Sequence, residues 1–246
     1  LQPIADSPTT DPILRQAPYF VGDAYFQQGN NAEAARYLER YVSGPKDLPS
    51  RDDALLKLGE AMQALGNYDK AVASYDRLAA EHSRSPLVAR AMFESADVLF
   101  WQRKSYDEAR RRLEQLMARP DAGEFAVRSA WDLASIAGDQ RKWEEAAKRF
   151  GEIAAKFPTH RLATAALGLR AAALARLQRF DEAQAALKQF LEKKPDSDTR
   201  ESMTYAVGTA LARAGNHEMA LGEFDRLLED SPKGILADEA LYGAAW

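Results

Sequence analysis

The 246-residue sequence has no cysteine, which excludes disulfides, thiolate metal sites and thiol catalysis together. Histidine is nearly as scarce. Of the three present, His82 and His160 fall between apolar helical stretches and His217 opens one, so none has a metal-ligand or triad setting. The chain also lacks a His-Glu-x-x-His pair, a glycine-rich phosphate loop and a Gly-x-Ser-x-Gly elbow. No segment approaches the ~18 consecutive apolar residues of a membrane span, which speaks against direct membrane insertion of this segment. A net charge of −4 gives no basic excess for phosphate neutralisation, so nucleic acid is not an expected partner. With those classes removed, no cofactor, metal or catalytic group is expected, and the chain reads as a non-enzyme.

What is present is a period. Ala34, Ala71, Ala109, Ala146, Ala183 and Ala220 follow one another at intervals of 37, 38, 37, 37 and 37 residues. Tyr68, Tyr106, Trp143 and Phe180 stand three residues before four of them, and Leu38, Tyr75, Leu113, Phe150, Leu187 and Phe224 four residues after all six. Self-similarity at such a period is the mark of a repeat array. Each unit holds two apolar-periodic stretches of helical length around a short polar turn, as in Ala54–Leu65, Gly66-Asn67 and Tyr68–Ala80. Gly44-Pro45, Ser85-Pro86, Arg119-Pro120, Phe157-Pro158, Lys194-Pro195 and Ser231-Pro232 close the units, because proline removes an amide donor and turns the preceding residue away from helix. The alanine is small where two helices approach, and the larger residue one turn later fills the adjoining groove. Opposite stand Gly22, Gly59, Ala96, Ala134, Ala171 and Gly208 in the first helices. Acidic pairs such as Asp107-Glu108, Glu144-Glu145 and Asp181-Glu182 belong to the first turns of second helices, where the macrodipole favours them.

The interval of 38 locates an inserted residue. Pro86 to Ala96 matches Pro12 to Gly22 in length, so the first helix of the third unit is in register and the extra residue is expected in the turn Gln102–Ser105. Ala96 is then the close-packing position. Asp97 there would bury an unpaired carboxylate.

The small/aromatic/proline frame of Gly59, Gly66, Tyr68, Ala71, Tyr75 and Ser85-Pro86, repeated as Gly208, Gly215, Ala220, Phe224 and Pro232, resembles the tetratricopeptide-repeat family. The likeness runs from Leu14 to Trp246. It implies an all-α, right-handed superhelical solenoid of antiparallel helix pairs, with six full repeats and a truncated seventh. The expected organisation is an N-terminal arm or remnant of a preceding repeat over 1–12 and one solenoid over 13–246, a fragment of a longer chain carrying further repeats or domains. The start at Ser85–Ala91 resembles bacterial cell-envelope members, which favours a periplasmic or envelope location over the cytoplasm. The opening at Leu1 leaves room for a leader or lipid anchor upstream.

The resemblance also implies that first helices line a concave groove. Counted from the small position, the residues left for that face include Tyr19, Phe93, Trp131 and Tyr205, with Leu56 and Gly168 in the same row. They also include Asp23, Glu60, Asp97, Phe26, Gln63, Phe100, Trp101, Arg176 and Arg213, together with Arg128. Asp23, Glu60 and Asp97 form an acidic row flanked by aromatics, suited to a peptide or helical segment of basic and apolar character. The later units offer Gly168, Ala172, Ala175 and Ala212 with arginines. Two alternatives stay open for these residues: the acidic row as a solvated face, and Phe93 and Trp131 as side chains covered by the next helix. At the level of function, a protein- or peptide-binding scaffold leads, with a structural or oligomerising region of a larger envelope assembly, or an enzyme's accessory domain, as alternatives. Carboxylates of successive units lie about 10 Å apart on a wet face, which gives none the raised pKa of a catalytic acid.

Overall fold

The computed structural model describes residue 11 and residues 14–244; the expected arm over 1–12, apart from Asp11, and Trp246 lie outside them. The chain is 77% helical, with no strand among the described residues. It groups into two compact units, 1–126 and 127–246, where the sequence reads as one array. After a 3-10 turn at Leu14–Gln16, unit 1 contains α1 (Ala17–Gln27), α2 (Asn31–Val42), α3 (Arg51–Ala64), α4 (Tyr68–Glu81), α5 (Val88–Asp97) and α6 (Tyr106–Met117). The boundary falls in the first turn of α7 (Phe125–Asp139). Unit 2 continues with α8 (Trp143–Lys156), α9 (Arg161–Arg176), α10 (Phe180–Glu192), α11 (Ser197–Arg213), α12 (His217–Asp230) and α13 (Ala237–Ala244). Odd-numbered helices are the first helices of hairpins and even-numbered ones the second.

The six register alanines are all buried, and the glycines opposite them show why size is limiting. A Cβ on Gly22 would meet Leu38, one on Gly59 would meet Tyr75 at 2.3 Å, and one on Gly208 would meet Phe224 at 2.8 Å. First and second helices therefore interlock through the residue one turn beyond each alanine, as the period requires. Second-helix starts are capped by Asn30, which accepts from the Glu33 amide, and by Asn216, which accepts from the Met219 amide.

Every hairpin turn is three residues long, and its middle residue is left-handed: Gly29, Gly66 and Gly215, but also Lys104, Arg141 and Gln178. This corrects the placement of the inserted residue. The turn of the third hairpin is no longer than the others. The extra residue is taken up inside the helix, where Val98–Gln102 forms a π-helical turn. There the Ser105 amide reaches back six residues to the Leu99 carbonyl, whereas Asn30 and Asn67 reach back only five, to Tyr25 and Met62. Ala96 is fully buried as expected.

Hairpins are clipped to their successors by polar side chains. Arg51, 2% exposed, donates to the carbonyls of Gly44 and Pro45 and to Glu81 at 3.2 and 3.3 Å, pinning the α2–α3 loop onto α4. Arg77 also donates to Glu81, and the two guanidinium groups outweigh burial and hold that carboxyl below the usual range. Asp52 accepts from the Ser85 hydroxyl at the start of the next hairpin, and Glu201 accepts from the Leu236 amide in the same way.

Candidate interaction surface

In unit 1 the first helices α1, α3 and α5 are joined by charged side chains. Lys57 donates to Asp23 on α1 at 2.6 Å and lies 2.7 Å from Asp53 on its own helix, one turn away. Tyr19 donates to Asp53 at 2.8 Å, and the Lys57 ammonium lies 5.6 Å from the Tyr19 ring. Burial opposes the charge on Lys57, yet its bonds to Asp23 and Asp53 raise its pKa above that of an ordinary lysine. Further along, Arg90 on α5 reaches Glu60 on α3 at 2.5 Å. Burial pushes the Glu60 carboxyl up, with Arg90 opposing. Glu94 and Asp97 act with Glu60 and Arg90 on the buried Tyr75, whose hydroxyl donates to Gln63.

The expected row of Asp23, Glu60 and Asp97 is therefore assembled on one unit, but it is threaded by cations. Lys57 and Arg90 lie outside the row as counted along the sequence, and their long side chains bring them into it. Asp23, Asp53, Glu60, Glu94 and Asp97 still outnumber Lys57 and Arg90.

Several expected aromatic contacts are packing instead. Phe93 is 2% exposed and packs at a tilt against the ring of Phe125 of α7, so it offers no ligand face. Phe100 is wholly buried, and the π turn is the reason. One residue added before the hairpin turn moves everything behind it by one place. Measured back from the turn, Phe100 takes the position of Tyr25 and Met62, and Trp101 takes that of Phe26 and Gln63. Trp101 is 45% exposed, beside Phe100, with the Lys104 ammonium 5.3 Å from its ring. Tyr19, Phe26 and Gln63 are half-buried. A cavity of about 470 Å³ lies elsewhere in unit 1, lined by Asp76, Met92, Glu108 and Arg112, where Arg112 already bridges Asp76, Ser95 and Glu108.

In unit 2, Arg128 and Arg213 are exposed and Arg176 half-buried. Trp131 packs edge-on against Phe150, and Tyr205 lies 6.0 Å from Phe224. The expected smooth lining is only partly open. Ala175 is fully buried, and Gly168 is packed so closely under Met203 of α11 that a Cβ would meet it at 2.7 Å. Ala172 and Ala212 stay half-exposed. The row of Tyr19, Leu56, Phe93, Trp131, Gly168 and Tyr205 is thus largely a packing position. Sequence reasoning also missed Asp132, a carboxylate buried at a position two residues from Ala134.

His82 ends α4, His160 caps α9 by accepting from the Leu162 amide, and His217 opens α12. Among the described residues no group of three or more His, Asp or Glu side chains is placed to hold a metal ion, and no helix is long and apolar enough to cross a membrane.

Comparison with known proteins places this architecture. A tetratricopeptide-repeat model matches residues 15–51 and 56–125, and the model of the N-terminal domain of the T7SS, ESX-1 secretion system protein EccA1 matches residues 95–245. Among curated proteins none matches the sequence. Among solved structures, Pseudomonas aeruginosa PilF is similar at a TM-score of 0.59 and 19% identity, covering 92% of this chain and 95% of its own. MamA from Desulfovibrio magneticus RS-1 is similar at 0.57 and 18%, covering 72% and 93%. YrrB, described as a TPR protein with an unusual peptide-binding site, is similar at 0.55 and 19%, covering 78% and 91%. These likenesses concern the fold. The chain belongs to the tetratricopeptide-repeat family, and its residues 95–245 to the family of EccA1 N-terminal domains.

Proposed function

We propose that the chain is a non-catalytic protein-interaction scaffold, and that the first-helix face of unit 1 takes a peptide or helical segment of basic and apolar character. The observation that carries this reading is the excess of the five acids Asp23, Asp53, Glu60, Glu94 and Asp97 over the three bases Lys57, Arg90 and Lys104, with Trp101 exposed beside Lys104 at one end. An excess of one charge beside an exposed indole draws cationic groups and gives an apolar anchor. The family supports the class of activity, and YrrB is one relative in fold whose description names a peptide-binding site.

The test is titration of the full chain with a synthetic amphipathic peptide of lysine and leucine. Neutralising Asp23, Glu60 and Asp97 together to Asn, Gln and Asn should weaken binding about tenfold or more at low salt, and Trp101→Ala by about tenfold. Wild-type affinity in both variants, with helicity unchanged, overturns the assignment.

A second reading has its own support. Leu241 and Tyr242 on α13 and Ile235 before it are exposed, at 56, 67 and 86%, and the EccA1-type match is to a domain of a secretion-system protein. Both suit a structural or oligomerising role in a larger assembly. Light scattering that finds only monomer, in the wild type and in Leu241→Ser alike, removes self-association from that role.

A further inference from the structure

Several arginines of unit 2 are answered by an acid. Arg149 donates to Glu145 at 2.8 Å, Arg179 is held between Glu144 and Glu182, Arg200 lies 3.6 Å from Asp230, and Arg226 lies 2.7 Å from Glu223. Arg141, Arg176 and Arg213 differ: among the described residues, no ion pair joins any of them to a carboxylate. They also stand together. Arg176 is the last residue of α9, Arg213 the last of α11, and Arg141 the left-handed residue of the α7–α8 turn, with φ of 58°. Burial lowers the pKa of Arg176, and the other charges acting on it are those of Arg213 and Arg141, both lowering it further. The Arg176 guanidinium carbon lies 5.2 Å from the ring centroid of Trp143, the first residue of α8.

The arrangement is unfavourable as it stands. Each of Arg176 and Arg213 gains something from the carbonyl end of its helix, since the macrodipole favours a cation there. That gain does not extend to Arg141, which lies in the α7–α8 turn in a left-handed conformation that glycine adopts without cost at Gly29, Gly66 and Gly215. Three guanidinium groups from three successive hairpins, with Arg176 in the middle and 5.2 Å from the centre of an indole ring, form a short row of planar donor forks. Such forks take oxyanions in a bidentate manner, and a row of them matches successive carboxylates along a chain better than one small ion.

We propose that Arg141, Arg176 and Arg213, with Trp143 beneath Arg176, form an oxyanion-binding site for an acidic segment of a protein partner. The site goes beyond the unit 1 reading, uses none of its residues and takes the opposite charge. Binding replaces repulsion among the three cations with charge-assisted hydrogen bonds. Trp143 holds the central fork flat while it does so.

The experiment uses the full chain with tryptophan indoles labelled by nitrogen-15, the Trp143 signal being the one lost in Trp143→Phe. A short polyglutamate peptide capped at both ends should shift that signal saturably, and more weakly as salt is raised. Arg176→Gln should weaken the affinity about tenfold, the loss expected for one charge-assisted contact. Arg141→Gly should do the same while leaving the melting temperature unchanged or higher, because glycine suits the left-handed turn. The unit 1 variant neutralised at Asp23, Glu60 and Asp97 should bind polyglutamate like the wild type, which separates failure here from failure there. Absence of a saturable Trp143 shift, or wild-type affinity in both arginine variants, overturns the proposal. So does inorganic phosphate binding as tightly as the peptide, since the site is then one for a small free oxyanion.

Discussion

Gly59→Ala is the sharpest test of how the hairpins are built, because two familiar effects oppose each other there. Away from contacts, replacing a mid-helix glycine by alanine stabilises by about 1 kcal/mol. At Gly59 the added Cβ would lie 2.3 Å from one Tyr75 ring carbon and 2.7 Å from two others. Carbon contacts settle near 3.5–4.0 Å, so the ring has to retreat by about 1–2 Å. Tyr75 has no exposed surface, and its hydroxyl is tied to Gln63 at 3.1 Å, so the ring has nowhere to go without losing that bond. Overpacking costs about 1–3 kcal/mol and the lost hydrogen bond about 1. Against the propensity gain, the net expectation is a loss of about 2 kcal/mol. Urea denaturation followed by far-UV circular dichroism measures it, with Gly222→Ala as the control. Gly222 has no neighbour within 4 Å of an added Cβ, and that variant should gain about 1 kcal/mol. The third hairpin shows the remedy. It carries Ala96 and Leu113 at the two corresponding positions, both fully buried. Tyr75→Leu should therefore rescue Gly59→Ala, the double variant being more stable than the sum of the singles by about 1 kcal/mol or more. A Gly59→Ala protein as stable as the Gly222→Ala control refutes the close approach of α3 and α4 on which the repeat register rests.

Arg51→Ala leaves Glu81 and the carbonyls of Gly44 and Pro45 without the guanidinium that joins them. A loss of about 3–5 kcal/mol in urea denaturation is expected, and a change under about 1 kcal/mol would mean the α2–α3 loop is not held by that side chain. Glu223 is buried, which lifts its carboxyl pKa despite Arg226 at 2.7 Å. A carboxyl whose pKa is raised on folding makes the protein less stable as pH rises through that range, because the folded state holds the proton longer than the unfolded one. Glu223→Gln should accordingly melt higher than the wild type at pH 7, with the gap closing in acid once the wild-type carboxyl is protonated. An equal gap at both pH values would show that shape rather than charge is responsible.

The repeat was legible because the chemistry that sets it is local: a small residue is needed wherever paired helices touch, and it recurs with its partner four residues on. The interval of 38 was legible too, but not its address. A helix of fixed ends and a turn of variable length give the same count as a turn of fixed length and a helix with a π turn, and only hydrogen bonds such as Ser105 to Leu99 separate the two. The cost of that ambiguity fell on Phe100, which was expected beside Trp101 on the groove face and lies in the core, while Trp101 stays exposed. The extent to which the acidic charge of the unit 1 face is compensated was illegible for a different reason. Counting along one helix finds Asp23, Glu60 and Asp97, but the potential felt by a ligand is set by neighbours on adjoining helices. Lys57 and Arg90 reach across from positions the row does not include. Long basic side chains carry their charge several ångströms from their own backbone, so in an array of helices a charged row is a property of adjacent helices taken together. For the same reason the arginines of unit 2, scattered over residues 141, 176 and 213, become one site only when three hairpins are laid side by side.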